Sequence, residues 1–136
     1  MRIFIIGDNM KDLQIATHAA HSTGFDEIEA FVDVDSAMAS LKRALQGDSS
    51  LPDAVILNLN LGPGNGYEFV RFWHSTRTQT NIKMIVWSDL EERNREMCKL
   101  FGVDAYVCKW EGERVLREAL QGLNPSMGNE GSLEFT

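Results

Sequence analysis

Four short apolar runs in this chain each stop at a residue able to do chemistry. Ile3-Phe4-Ile5-Ile6 stops at Gly7-Asp8-Asn9, and Ala54-Val55-Ile56-Leu57 stops at Asn58. Met84-Ile85-Val86-Trp87 stops at Ser88, and Ala105-Tyr106-Val107-Cys108 at Lys109. Together they offer a carboxylate, an amide, a hydroxyl and an ammonium. That set suits a polar pocket for an anion or a small ion. It holds no nucleophile–base pair, so no enzymatic activity is expected. The loop Gly62-Pro63-Gly64-Asn65-Gly66 lacks the Lys-Ser/Thr pair of a phosphate-binding P-loop. His18 and His21 lie three apart on an expected helix, but no third ligand is visible, and they read as a solvated face.

Positioning these residues falls to a regular alternation of strand-like and helix-like segments. The four runs read as strands buried on both faces, and Ile28 to Val34 supplies one more, second in chain order. Between them, Leu13, Ala16 and Ala20 recur at helical spacing up to Gly24, a C-cap. Ala37, Met38, Leu41, Ala44 and Leu45 mark a second helix capped by Asp35 or Ser36. A third runs from Tyr67 to about Thr76, a fourth from about Leu90 to Phe101, and a fifth from about Glu111 to Gln121. Tyr67, Phe69, Phe72 and Trp73 span more than one stripe of the third helix; most are expected in the core, the rest in a partner or dimer contact.

Five strands alternating with five helices predict parallel pairing with right-handed crossovers, a doubly wound three-layer α/β/α sandwich. In such a sheet ligands bind beyond the carboxyl ends of the strands, where the polar residues above are found. In a 2-1-3-4-5 order, Asp33 and Asp35 follow an edge strand and stand away from that crevice. Residues 1–123 form the domain, and 124–136, rich in Gly, Ser and Asn, read as a flexible tail.

The chain has 136 residues, room for one globular unit at roughly 100–200 residues per domain. Thirteen Lys and Arg against twenty Asp and Glu give a net charge of −7, which argues against direct binding to nucleic acid or an anionic membrane. No apolar run approaches the roughly 20 residues of a membrane span, and the start is too soon acidic for a signal peptide. Cys98 and Cys108 are not spaced for zinc and are too few for a disulfide framework, so a cytoplasmic location is expected.

Over nearly its whole length the sequence resembles the receiver domains of two-component response regulators, which have the CheY-like, flavodoxin-like fold. The resemblance rests on Gly7-Asp8-Asn9, on the segment Asn58-Leu59-Asn60-Leu61-Gly62-Pro63-Gly64-Asn65-Gly66, on Val86-Trp87-Ser88, and on Asp104-Ala105-Tyr106-Val107-Cys108-Lys109. It implies that Asp8 is the second member of a Mg²⁺-holding acidic pair and that Asn60 offers a backbone carbonyl to the metal. It likewise implies that Ser88 is the switch hydroxyl, Lys109 the phosphate-pairing lysine, Tyr106 the aromatic reporter, and Gly66 the glycine opening helix three. The spacing from Ser88 to Lys109 is one residue short of the family's, which leaves Trp87 as an alternative; Ser88 is favoured because the apolar run ends there.

The departures weigh more than the matches. Asn58 stands at the phosphoacceptor position and Gly7 at the first acidic position. A neutral amide oxygen is a poor nucleophile toward phosphorus, and Mg²⁺ prefers anionic oxygens. Losing two carboxylates should weaken the metal by about two decades, so no cofactor is expected, with Asp8, Asn58 and Asn60 as weak metal candidates. The family's Lys-Pro is Lys109-Trp110 here, and Gly62 replaces a usual proline.

With no metal between them, Asp8 and Lys109 are expected to form a direct ion pair. The expectation is a pseudo-receiver of the phosphorelay type, held in one signalling state and binding a protein partner without phosphorylation. A kinase, an output protein or another signalling component would dock on the helix 4–strand 5–helix 5 face, near Tyr106, Trp110 and Arg114, with a homodimer also open. The alternatives are a switch working through another acceptor or through anion binding at Lys109, and a flavodoxin-like small-ligand binder.

Overall fold

The computed structural model describes residues 1–58, 65–89 and 92–123. Asn60, the glycines at 62 and 64, the expected helix start at Leu90 and the tail 124–136 lie outside the described residues.

Among the described residues eleven elements follow one another. They are β1 (Arg2–Ile6), α1 (Met10–Ser22), β2 (Glu27–Phe31), α2 (Val34–Leu45), β3 (Ala54–Leu57), α3 (Asn65–Ser75), β4 (Lys83–Ser88), α4 (Glu92–Leu100), β5 (Ala105–Cys108), a 3₁₀ turn (Lys109–Glu111) and α5 (Glu113–Leu123). The five strands form one sheet in the order β2-β1-β3-β4-β5, and every pair is parallel. This is the doubly wound α/β/α architecture expected from the alternation, with the flavodoxin-like, CheY-like strand order that the resemblance implies.

Strand alternation builds two cores. Phe4, Ile6, Val55, Leu57, Val86, Tyr106 and Cys108 face one way, against Val34, Leu41, Phe69, Trp73 and Cys98 of α2, α3 and α4. Ile3, Ile5, Ile56, Ile85, Trp87 and Val107 face the other way, against Ala16, Ala20, Leu116 and Leu120 of α1 and α5. A strand apolar at every position therefore has a layer of helices on each side, which is why its hydrophobicity does not alternate. Of the α3 aromatics, Phe69 and Trp73 are fully buried, and the Trp73 indole donates to the Ile82 carbonyl at 2.8 Å. Phe72 is half-buried under the Lys42 ammonium, and the Tyr67 hydroxyl donates to Asn94 on α4.

Two boundaries differ from the sequence expectation. β2 stops at Phe31 rather than Val34, because Asp33, not Asp35 or Ser36, caps α2: its carboxylate accepts the Ser36 N–H at 2.7 Å. That cap draws Val34 into the first helical turn, where it is buried. α5 starts at Glu113 rather than Glu111, because Gly112 turns the chain at φ +91° after the 3₁₀ turn. At the end of α1, Thr23 is the cap and Gly24, at φ +99°, takes the left-handed step beyond it.

Candidate functional site

The carboxyl ends of β1, β3, β4 and β5 meet at one edge of the sheet. Backbone pairing sets their level: the Gly7 N–H donates to the Phe31 carbonyl at 2.9 Å, and the Asn58 N–H to the Ile6 carbonyl at 3.0 Å. Gly7 and Asn58 are therefore neighbours. A Cβ added at Gly7 would lie 3.6 Å from the Asn58 Cβ and 3.7 Å from its Nδ2, with Leu13 Cδ2 at 3.5 Å. These are ordinary van der Waals contacts, so a Cβ at Gly7 would meet no clash. Asn58 is buried, whereas Asp8 is exposed and makes no ion pair among the described residues.

Ser88 is the last residue of β4, is fully buried, and pairs in register with Cys108, the residue before Lys109. Trp87 packs in the opposite layer, with α1 and α5. The short Ser88–Lys109 spacing is thus absorbed between the strands, and the β4 and β5 ends stay level.

Lys109 does not pair with Asp8. Its Nζ donates to Asp12 Oδ2 at 2.6 Å, across to the first turn of α1. The same ammonium sits 5.4 Å from the centroid of the Trp87 ring. The helix N-terminus favours a carboxylate in its first turn, and Asp12 is built into that turn, its own N–H donated to the Asn9 cap at 3.1 Å. Asp8 precedes the helix and faces water, so it offers the lysine a looser and better-solvated partner. Sequence reasoning passed over Asp12; the Asn9…Asp12 spacing of a helix cap and its third residue was the available signal.

Tyr106 is fully buried, and its hydroxyl donates to the Asp89 carbonyl at 2.9 Å. It is therefore not part of the surface on which it was expected. Trp110, 71% exposed, and Arg114, paired with Glu118 at 2.8 Å one turn on, do lie on the surface. Between α1 and α5, His18 Nδ1 lies 2.9 Å from the Glu113 carboxylate, which accepts from it and is held below its ordinary range by that bond and by Arg117. His18 and His21 also line an open apolar groove of about 470 Å³. Among the described residues no group of three His, Cys, Asp or Glu side chains is placed to hold a metal. One carboxylate beside an amide and a bare glycine is a poor donor set for Mg²⁺, which prefers anionic oxygens.

No protein-family model matches the chain, and no curated protein matches it significantly. Solved structures do match in fold. The phosphorylated cyanobacterial phytochrome response regulator RcpA superposes with a TM-score of 0.75 at 24% identity over 96% of both chains. A CheY-like receiver domain protein from Methanospirillum hungatei gives 0.74 at 19% identity over 96% of this chain and 98% of that one. The CheX–CheY–BeF₃–Mg²⁺ complex from Borrelia burgdorferi gives 0.74 at 18%, covering 90% of this chain and 88% of that chain. The fold is that of response-regulator receiver domains. Among the described residues no helix is long and apolar enough to cross a membrane.

Proposed function

We propose that this chain is a pseudo-receiver of two-component signalling, a protein-interaction module that works without aspartyl phosphorylation and catalyses no reaction. The observation that carries this reading is the buried Asn58 beside Gly7 at the meeting point of β1 and β3. Where a receiver needs an anionic nucleophile and a second metal-holding carboxylate, this pocket has a neutral amide and no side chain. Asp8 alone is left to attract Mg²⁺, so the metal binds weakly or not at all.

The remaining parts of the switch support a single fixed state. Lys109 is held by Asp12, and Tyr106 is enclosed and bonded to Asp89, so neither waits on a phosphoryl group for a partner. The docking face is α4–β5–α5, where Trp110 offers an exposed aromatic surface and Arg114 a cation. The occupant is a signalling protein, and a protein of the same fold is found in the CheX–CheY complex.

Intact mass after incubation with a small-molecule phosphodonor and excess Mg²⁺ tests the reading. An unchanged mass is the expected result. A stoichiometric phosphoryl adduct would overturn it, and mapping the adduct to Ser88 or Asp8 would identify a working switch with another acceptor.

A further inference from the structure

The lysine that should greet an anion already has one. We propose that Asp12 is the built-in counter-ion of Lys109, a positioning residue that holds the ammonium against Trp87 and excludes phosphate-like anions from it. The Lys109 Nζ–Asp12 Oδ2 distance is 2.6 Å, and the two side chains are only 17% and 22% exposed. Among the described residues Asp12 is the one carboxylate paired with Lys109. The wall behind the pair is the buried Trp87, whose ring lies 5.4 Å from Nζ. The indole carries a donor N–H and no acceptor, so that wall offers the ammonium only its π face.

Three physical consequences follow from this arrangement. Asp12 is tethered, so an external anion competes with a carboxylate present at high effective concentration. Partial burial reduces screening, so the pair is stronger than an exposed one of the same length. An arriving dianion also meets the negative charge of Asp12, which repels it. The link spans 97 residues and ties the last strand to the first helix, so it also fixes where the chain leaves β5. This deepens the proposed reading and rests on it in one respect, that Asn58 takes no phosphoryl group.

Inorganic phosphate is the probe, titrated into the full chain without a phosphodonor and followed by Trp87 fluorescence and by the Lys109 ammonium resonance. Asp12→Asn is expected to bind phosphate at least about tenfold more tightly than the unaltered chain. Asp12→Glu is expected to stay near the unaltered value, and adding Lys109→Met to Asp12→Asn to abolish the gain. Equal phosphate affinity in Asp12→Asn and the unaltered chain would overturn the proposal. Should Asp12→Asn fail to fold, the unaltered protein still decides: the Lys109 ammonium protons exchange more slowly than those of exposed lysines if the pair holds. Exchange at the rate of an exposed lysine contradicts it. Because no phosphodonor is present, these outcomes are independent of the mass test, which bears on covalent phosphorylation.

Discussion

The Tyr106 hydroxyl donates to the backbone carbonyl of Asp89 at 2.9 Å, with the ring wholly enclosed among α4-side residues. One bond thus joins the middle of β5 to the chain leaving β4. A phenol buried in this way needs an acceptor, because an unpaired hydroxyl inside the core is costly. The aromatic side chain is therefore fixed by its own chemistry, with no phosphoryl group involved.

Tyr106→Phe is expected to lower unfolding free energy by about 1 kcal/mol, the net worth of one buried hydrogen bond, while the fold survives. Tyr106→Ala is expected to cost about 3–5 kcal/mol, because a cavity opens in the core as well. Urea titration monitored by circular dichroism measures both. Equal midpoints for Tyr106→Phe and the unaltered chain would mean that the bond to Asp89 carries no stability.

Gly7→Asp combined with Asn58→Asp is expected to restore Mg²⁺ binding, tightening it by about a hundredfold over the unaltered protein. A Cβ at Gly7 would make contacts of 3.5–3.7 Å, ordinary van der Waals distances, so the first atom of the new side chain meets no clash. Metal titration read by tryptophan fluorescence, followed by phosphodonor and intact mass, checks it. If the double variant folds and still ignores Mg²⁺, the missing carboxylates are not what silences the pocket.

Asp33 caps α2 and sets a pH dependence. The hydrogen bond from the Ser36 N–H holds its carboxyl below the ordinary 3.8. A folded-state value lowered in this way stabilises the protein above the unfolded value, and the contribution fades as pH falls through the folded one. Asp33→Ala is therefore expected to lower the thermal midpoint at neutral pH, with the gap narrowing under acid conditions. A gap independent of pH would contradict the role of the charge.

Both cysteines are buried and free. Burial pushes the Cys98 thiol up to about 12, and burial first, then the Glu111 carboxylate, raises that of Cys108. Thiolate is the reactive form, so neither is expected to react with a thiol reagent at mildly alkaline pH until denaturant is added. Rapid labelling of the native protein at either position would show that the α4 layer opens readily.

The layers were legible because strands and helices alternate and runs apolar on both faces belong to a covered parallel sheet, whereas the strand order followed from the resemblance to receiver domains. The closeness of Gly7 to Asn58 and of Ser88 to Cys108 was legible too, since the ends of neighbouring parallel strands lie level. The β2–α2 boundary was not, because Val32-Asp33-Val34 alternates like a strand and only the Asp33 cap reveals a helix start. Nor was the partner of Lys109. Asp8 and Asp12 are both near in sequence to the expected site, and the choice between them depends on how the first turn of α1 seats against β5. The depth of Tyr106 was hidden likewise, because a β5 residue next to an outer helix reads equally as core or edge.

A silent pocket in a protein held in one state does not answer a phosphoryl mimic. The most direct measurement compares amide spectra of the unaltered chain with and without beryllofluoride and Mg²⁺, together mimicking a phosphorylated receiver. The resonances of Asp89, Tyr106 and Lys109 are expected to stay where they are. Concerted shifts at those three residues would contradict it and make the chain a responsive switch.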